Sequence, residues 1–499
     1  METEPCAPEE LAGEIRRFIA SCKKPALLEP GEETIELSDG HYAIEERGGR
    51  VLLDAWNEKR NVGRRVTGIE TVARGRLDLA VERFGKRKAK ITLLDQARPH
   101  SAPAILQAGR RLFREQFGLC LRRQFPGWRL GGLSTEPDLE HTLSPAYSRA
   151  WLRKGARVWA ALGAPATNGG SRGALAFGLI WLDYLRRRET RRTVEGLVLV
   201  LPAGQQQETC LQLRCMDRRV AQFDVILYSG GGHEDRIDPD DFGNIDSRLP
   251  PCRPVAADQA NPMAGAAATI PGLRTLITGD GQCSYRVNGL EIGRWTGSEL
   301  LAGIDRKRPV SSGAVQRITA LAEGLSLFRT ALARDQSNPL YTRLPEAWLE
   351  ARVRDSLDKI DPSLHPSLVY GQVPAFAGGN RGVLDLLAVE RGGRLVVIEL
   401  KAFADPELPL QALEYWMRVR RHNDCGDFAA RGYFAGIPLS KRVPRLLLVA
   451  PALEFHPATE TLLRYIDPAV PFERVGVAPD WKSELRVVLR VCGARKPGI

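Results

Sequence analysis

The stretch LVVIELKA at residues 395–402 restricts the fold more than any other part of this sequence. Its four leading β-favouring apolar residues predict a buried strand, and Glu399 and Lys401 then share one face because side chains alternate along a strand. Upstream, GVLDLLAVE predicts a second strand that carries Asp385, and an Arg-Gly-Gly turn joins the two strands as a hairpin. The hairpin therefore collects two carboxylates and one ammonium group in apolar surroundings.

Charges in such a place need compensation, because burying an unpaired charge is costly. Two carboxylates that converge on one divalent cation, with a lysine beside them, supply it. Mg²⁺ binds in this way, through one or two carboxylates together with waters and phosphate oxygens. The competing interpretation is an exposed sheet face on which Asp385, Glu399 and Lys401 form a cross-strand ion pair of little energetic value.

A helix is predicted on the N-terminal side of the hairpin, in PEAWLEARVRDSL at residues 345–357. A proline stands near its start, and Glu350 lies on the apolar stripe with Val353 and Leu357. This spacing directs an acid toward the core. A surface pair with Arg354, four residues further on, is the alternative.

A second helix is predicted on the C-terminal side, in LPLQALEYWMRVRR at residues 408–421. Gln411 and Tyr415 are four residues apart and therefore share a face of this helix. The alternative is an ordinary amphipathic helix with a tyrosine at its edge.

An acidic residue on one strand followed by an E-x-K tripeptide on the next resembles the PD-(D/E)XK nuclease superfamily, whose core is an α/β sandwich. Asp385 and the tripeptide Glu399-Leu400-Lys401 match this pattern, with thirteen residues between the two acids. Leu384 stands where the name-giving motif has proline. The pair Gln411 and Tyr415 is similar to the Q-x-x-x-Y pattern of the RecB-like branch.

The resemblance implies a metal site that holds Mg²⁺ or Mn²⁺. Asp385 and Glu399 match the two metal-binding acids of the superfamily. In many of its members the first core helix supplies another glutamate, and Glu350 is the residue that matches it here. Glu346, one turn earlier, is the second candidate for that position.

The resemblance also implies the reaction, which is hydrolysis of DNA phosphodiester bonds by a cation-activated water. Lys401 would orient that water or stabilise charge on the phosphoryl oxygens, and Gln411 and Tyr415 would position the scissile strand. DNA repair and phage defence are both compatible roles. Two alternatives stay open: an RNase with the same site, and a non-catalytic nucleic-acid-binding or scaffold protein that retains a nuclease-like core.

Changes in composition and pattern predict an α/β, multidomain chain. The C-terminal part is expected to be a restriction-endonuclease-like α/β sandwich with a mixed sheet, preceded by a small antiparallel β module and a second, basic α/β domain. The second domain repeats the element order of the last one without its acids, so it is open to interpretation as a degenerate nuclease-like copy. The predicted segments are the β module at 1–97, the basic domain at 98–228, a linker or long loop at 229–272, a β-hairpin and helix connector at 273–337, and the nuclease domain at 338–499.

The charge balance favours a polyanionic partner, because 71 lysines and arginines against 60 aspartates and glutamates leave a net charge of +11. Many of the basic residues cluster around a helix predicted at residues 110–124. We expect its arginines to contact DNA, with a solvated helix face as the alternative. The arginines assigned to nucleic-acid binding are Arg110, Arg111, Arg114, Arg122 and Arg123.

Several protein classes are disfavoured. No apolar run approaches the 18 or so residues that a bilayer span needs, and the acidic N-terminus lacks the features of a secretory signal. Nine cysteines without a CxxC pair indicate neither a disulfide framework nor a zinc or iron–sulfur site. We therefore expect a cytoplasmic protein without a membrane partner, and whether it forms a homo-oligomer stays open.

Overall fold

The structure is a computed structural model, and it describes most of the chain. The described part contains eleven α-helices and four β-sheets, so the protein is a mixed α/β chain with several sheets. Within it, no helix combines the length and the apolar character that crossing a bilayer requires. The described residues are 8–28, 35–37, 42–47, 49–57, 60–73, 75–83, 87–95, 102–166, 171–229, 232–240, 247–252, 261–277, 282–304, 307–310, 312–377 and 380–494.

The first sheet is antiparallel, as the β-rich pattern before residue 97 predicts, and has the strand order β2-β1-β7-β6-β5-β4-β3. Helix α1 (Pro8–Ser21), which was not predicted from the sequence, packs on this sheet. Its apolar face is formed by Leu11, Ile15 and Ile19, which recur every four residues. The strands are β1 (Pro25–Leu28), β2 (Ile35–Glu36), β3 (Tyr42–Arg47), β4 (Arg50–Asn57), β5 (Arg60–Ala73), β6 (Arg76–Arg83) and β7 (Arg87–Asp95).

The second sheet is mixed and has six strands in the order β13-β12-β11-β10-β9-β8. Two corrections apply here. The helix predicted at residues 110–124 begins eight residues earlier, and Glu234–Ile237 forms an edge strand inside the segment predicted as a linker. The elements are α2 (Ala102–Gln124), β8 (Arg129–Ser134), β9 (Ser148–Lys154), β10 (Arg157–Gly163), α3 (Ala174–Arg188), β11 (Thr193–Pro202), α4 (Gln207–Leu213), β12 (Gln222–Tyr228) and β13 (Glu234–Ile237).

The third sheet has five antiparallel strands in sequence order and covers more than the hairpin expected at 273–337. It has its own core, which includes Met263 and Ile270 from the predicted linker. Other parts of that linker, residues 230–231, 241–246 and 253–260, lie outside the described residues. The elements are a 3-10 helix (Ala267–Thr269), β14 (Leu273–Ile277), β15 (Cys283–Val287), β16 (Leu290–Trp295), β17 (Leu300–Ala302), β18 (Arg308–Pro309) and α5 (Ala314–Phe328).

The fourth sheet is mixed, has six strands in sequence order and carries the predicted site. Its helices and strands up to the hairpin are α6 (Pro339–Thr342), α7 (Pro345–Arg354), α8 (Leu357–Ile360), β19 (Leu364–Ala377), β20 (Asn380–Glu390) and β21 (Leu395–Leu400). After the hairpin follow α9 (Leu408–Asp424), α10 (Asp427–Ala430), β22 (Arg445–Pro451), α11 (Ala458–Leu463), β23 (Phe472–Val477) and β24 (Val487–Cys492).

The core of this domain lies between α7 and the fourth sheet. Val396, Ile398 and Leu400 of β21 pack with Trp348 and Val353 of α7. Because strand side chains alternate, the intervening residues of β21, including Glu399, face the opposite side of the sheet. Helix α9, which contacts β21 and β22, covers that side.

The chain divides into two compact units. The first comprises Met1–Thr209 and Gln222–Asp238, and the second comprises Cys210–Ala221 and Pro239–Ile499. The short segment of the second unit is tied to the rest of that unit by an antiparallel bridge between Met216 and Ile466.

Candidate functional site

The predicted hairpin forms, and it places Asp385 and Glu399 opposite each other. The last paired residues of β20 and β21 are Leu386 and Ile398, so the two acids stand one step beyond them. The backbone N–H of Leu400 donates a 2.9 Å hydrogen bond to Oδ2 of Asp385. Lys401 is the first residue after β21. The structure thus brings the three residues of the sequence motif to one end of the hairpin.

Glu399 is a buried carboxyl group without full compensation. The residue is 1 % exposed, and its Oε2 has no hydrogen-bond partner among the described residues. Burial raises the pKa of Glu399 well above its ordinary value, the charge of Asp385 raises it further, and Lys401 acts in the opposite direction. An orphaned buried oxygen of this kind costs free energy unless a ligand satisfies it.

Asp385 is perturbed in the same direction. Burial of its carboxyl raises the pKa to about 7, and the charge of Glu350 adds to the rise, whereas the Leu400 hydrogen bond and Lys401 lower it. Strongly raised pKa values on two facing carboxyls are typical of a functional site rather than of a surface ion pair. The burial of Glu399 and of the Asp385 carboxyl does not agree with the exposed-face interpretation.

The sequence pattern did not indicate Asp405, which lies beside the site. Its Oδ2 is 3.4 Å from the Nζ of Lys401, and both side chains are partly exposed. Burial lowers the pKa of the half-buried His456, and the charge of Asp405 partly offsets this effect by raising that pKa. Only the i, i+4 spacing of Lys401 and Asp405 could have suggested this contact, and that spacing has no diagnostic value outside a helix.

Glu350 of α7 is buried as the apolar stripe predicts, yet it also forms the ion pair that the alternative interpretation expects. Nη2 of Arg354 lies 2.8 Å from its Oε1. Gly371 of β19 makes room for the pair, since a Cβ there would lie 1.8 Å from the Arg354 guanidinium and 2.9 Å from the Glu350 carboxylate. Glu350 and Glu346 both raise the pKa of Asp385, so the two glutamates lie within electrostatic reach of the site.

Gln411 and Tyr415 share a face of α9, with Nε2 of Gln411 3.5 Å from the Tyr415 hydroxyl. Burial raises the pKa of Tyr415 to about 12, and the charge of Glu399 contributes to the rise. The Tyr415 hydroxyl therefore stays protonated at physiological pH and is available as a hydrogen-bond donor near the carboxylates.

The donor set fits a hard divalent cation. Two facing carboxylates, one of them with an orphaned oxygen, offer the oxygen ligands that Mg²⁺ and Mn²⁺ prefer. The described residues contain no group of three or more His, Cys, Asp or Glu side chains arranged for a metal ion. Asp385 and Glu399 would therefore leave most coordination positions to water and to phosphate oxygens.

The arginines predicted to bind nucleic acid lie along α2 and differ in environment. Arg110 and Arg114 are half-buried, whereas Arg111 and Arg122 are exposed. Arg123 forms an ion pair with Glu234 of β13, so its charge is partly neutralised within the domain.

No protein-family model matches the chain, and no curated protein is significantly similar to it.

Proposed function

We propose that this chain is a metal-dependent nuclease that hydrolyses DNA phosphodiester bonds in its C-terminal domain. The observation that carries the proposal is the orphaned, buried carboxyl of Glu399 facing Asp385, with Lys401 beside them. A core retained only for its shape has no reason to keep this arrangement, because uncompensated buried charges destabilise a fold. The mixed six-stranded sheet between helices agrees with the restriction-endonuclease-like α/β sandwich that the resemblance implies.

Each side chain has a separate role in this proposal. Asp385 and Glu399 hold the cation, which, when bound, supplies the charge that activates water and stabilises the phosphoryl oxygens. Lys401, held by Asp405, donates to the attacking water or to a phosphoryl oxygen. Glu350 adds negative charge beside the site and thereby favours cation binding.

Gln411 and Tyr415 act on the substrate. Their polar atoms lie together on α9, the helix that covers the face of Glu399, and both can donate hydrogen bonds to a phosphate. Such contacts orient a strand without selecting its sequence.

The test is a cleavage assay on supercoiled plasmid, linear duplex, single-stranded DNA and RNA, each with Mg²⁺, with Mn²⁺ and with EDTA. We expect DNA cleavage with either cation and none with EDTA. Cleavage of RNA alone would favour the RNase alternative. Binding without cleavage of any substrate under all of these conditions would contradict the proposal and favour a non-catalytic role.

A further inference from the structure

The second and fourth sheets have the same topology. In each, six strands follow one another in sequence order, and the successive pairs are antiparallel, antiparallel, parallel, parallel and antiparallel. A long helix connects the third strand to the fourth in both cases. Backbone hydrogen bonds define corresponding positions in the two sheets. The N–H of Ala164 donates to the carbonyl of Val200, as the N–H of Lys401 donates to that of Val449. The N–H of Ala203 likewise donates to the carbonyl of Tyr228, as the N–H of Ala452 donates to that of Val477.

This correspondence shows what replaces the candidate catalytic residues in the second sheet. Gly163 pairs with Val200 as Leu400 pairs with Val449, and Leu162 faces Arg149 where Glu399 faces Asp385. The acid positions are therefore taken by an arginine and a leucine, and the lysine position is taken by Ala164. No carboxylate remains at these positions to hold a cation.

A cavity of about 560 Å³ lies on the face of the second sheet that carries Arg149, and Arg149 is one of the residues that line it. Its wall includes Arg153 and Trp151 of β9 and Tyr184 and Arg188 of α3. The volume is within the range of small-ligand sites in proteins.

Two guanidinium groups in the cavity are available to a ligand. Arg153 lies 4.7 Å from the centre of the Trp151 ring, and its Nε is buried and has no hydrogen-bond partner among the residues that the structure describes. Arg188 lies 5.1 Å from the ring centre of Tyr184 and donates to that hydroxyl. Neither arginine is within ion-pair distance of a carboxylate in the described part of the chain. Arg149, in contrast, is occupied by the backbone carbonyls of Ser144 and Glu136.

Aromatic rings and carboxylates complete the wall. The indole of Trp151 lies against the backbone of Gly131 and Gly132, where a Cβ would come within 3 Å of the ring. Glu136, Asp138 and Glu189 also line the cavity. Arginines bind phosphate and stack on bases, aromatic rings stack on bases, and carboxylates accept hydrogen bonds from exocyclic amino groups. Inorganic phosphate would contact only the arginines and would leave the aromatic rings and the carboxylates without a role.

We propose that the cavity between β8, β9 and α3 is a binding site for one unstacked nucleotide, in a domain that is a catalytically inert copy of the nuclease domain. The phosphate binds Arg153 and Arg188, and the base stacks on the aromatic and guanidinium planes. The nucleotide is either free or part of a single strand. The comparison with Asp385 and Glu399 rests on the proposed function, whereas the cavity and its ligand class do not.

The test measures binding in EDTA, where cleavage is not required, so its outcome is independent of the nuclease proposal. A deoxynucleoside monophosphate and a fluorescent single-stranded oligonucleotide are titrated into the full-length protein by calorimetry and by anisotropy, with inorganic phosphate as a third ligand. Arg153→Gln and Arg188→Gln are expected to weaken nucleotide binding about tenfold or more, the equivalent of about 1.4 kcal/mol. Arg188 is exposed, so its variant is expected to fold normally.

The matched control is Arg187→Gln, which alters the neighbouring residue of α3, an exposed arginine paired with Asp183. It is expected to bind as the wild type does. Binding of the monophosphate supports a free nucleotide as the ligand, and binding of the oligonucleotide alone supports a single strand. The proposal is overturned if neither ligand binds, if both variants bind like the wild type, or if inorganic phosphate binds as tightly as the nucleotide.

Discussion

Glu399 shows how a single residue connects the fold to the proposed chemistry. Its position on β21 is dictated by strand alternation, which directs it away from the apolar core and toward α9. There it faces Asp385 in surroundings that raise the pKa of both carboxyls. The residue that makes the site useful therefore makes the metal-free fold less stable.

This conflict predicts a pH-dependent gain in stability when the charges are removed. The folded-state pKa of Asp385 is about 7 against an ordinary 3.8, so its contribution to stability is fully present at low pH and is lost as the pH rises through 7. Asp385→Asn should therefore raise the free energy of unfolding at pH 8 in EDTA by at most about 4 kcal/mol, and Glu399→Gln should change it in the same direction. The gain should shrink toward pH 5.

Urea unfolding between pH 5 and pH 8 measures this effect. Glu323→Gln, on the exposed side of α5, is the control and should leave the stability unchanged at every pH. A loss of stability at pH 8 in both site variants would show that the two carboxylates stabilise the metal-free fold, contrary to our account.

Lys401 and Asp405 should differ in their effects on cleavage. Removing a donor that stabilises transition-state charge costs about 100- to 1,000-fold in rate, so Lys401→Met should lose at least 100-fold. Asp405 only orients the lysine through a partly exposed ion pair worth about 1 kcal/mol or less, so Asp405→Asn should lose about fivefold. Single-turnover rates at saturating metal test this order. A larger loss in Asp405→Asn than in Lys401→Met would assign the direct role to Asp405.

At the scale of elements, strand β22 is fixed by one arginine. Arg445 at its start has a side chain that is 12 % exposed, and its guanidinium binds Asp361, Glu390 and Glu473. These acids come from three different places around the fourth sheet. The guanidinium therefore connects the start of β22 to β23 through Glu473, to the end of β20 through Glu390, and to the residue after α8 through Asp361.

Replacing Arg445 should be strongly destabilising. Arg445→Met removes the arginine that pairs with Glu390 and leaves Asp361 and Glu473 with Arg490. Breaking a buried ion pair by removing one side costs about 3 to 5 kcal/mol. Arg486→Met, which removes an exposed arginine paired with exposed acids, should cost less than about 1 kcal/mol. Equal urea midpoints for the two variants would contradict this difference.

How much could be predicted from the sequence depended on the length and periodicity of each element. The alternation of side chains and an Arg-Gly-Gly turn predicted β20 and β21. The four-residue separation of Gln411 and Tyr415 predicted that they share a face of α9. In the third sheet, the sequence predicted only the hairpin of β15 and β16. Strands β17 and β18 have only three and two residues, too few to show a period.

Tertiary contacts explain another difference. The sequence of the connector predicts a helix from about Val315 to Ala333, but α5 ends at Phe328. The next residue, Arg329, is fully buried and donates to the backbone carbonyls of Asn288 and Leu344. Leu344 directly precedes α7, so Arg329 also fixes the start of the helix that carries Glu350. No local pattern reveals a buried arginine that binds distant carbonyl groups.

At the scale of the whole molecule, the second unit depends on a segment that is distant in the sequence. Cys210–Ala221 joins this unit through the bridge between Met216 and Ile466. The N–H of Asp217 donates to the carbonyl of Tyr465, and the N–H of Asp467 donates to that of Cys215, each at 2.8 Å. The sequence analysis places the linker at residues 229–272 and therefore assigns this segment to the basic domain at 98–228, not to the second unit.

A fragment that begins at Pro239 tests how much the segment contributes. It retains every residue of the proposed active site, so we expect it to fold and to cleave DNA in a metal-dependent manner. It should unfold at a lower urea concentration than the full chain, because it lacks the backbone hydrogen bonds of Cys210–Ala221. A folded fragment without activity would mean that the site requires residues from the missing part.

The most direct measurement of the central claim is the single-turnover cleavage rate of a DNA substrate by four proteins in Mg²⁺: wild type, Asp385→Asn, Glu399→Gln and the control Glu323→Gln. The substitutions preserve side-chain shape, remove the negative charge and replace one carboxylate oxygen with an amide nitrogen. Our account predicts that the wild type and Glu323→Gln cleave at equal rates that EDTA abolishes, while the two site variants lose at least about 1,000-fold and remain folded. Cleavage by Glu399→Gln at the rate of the control would contradict it.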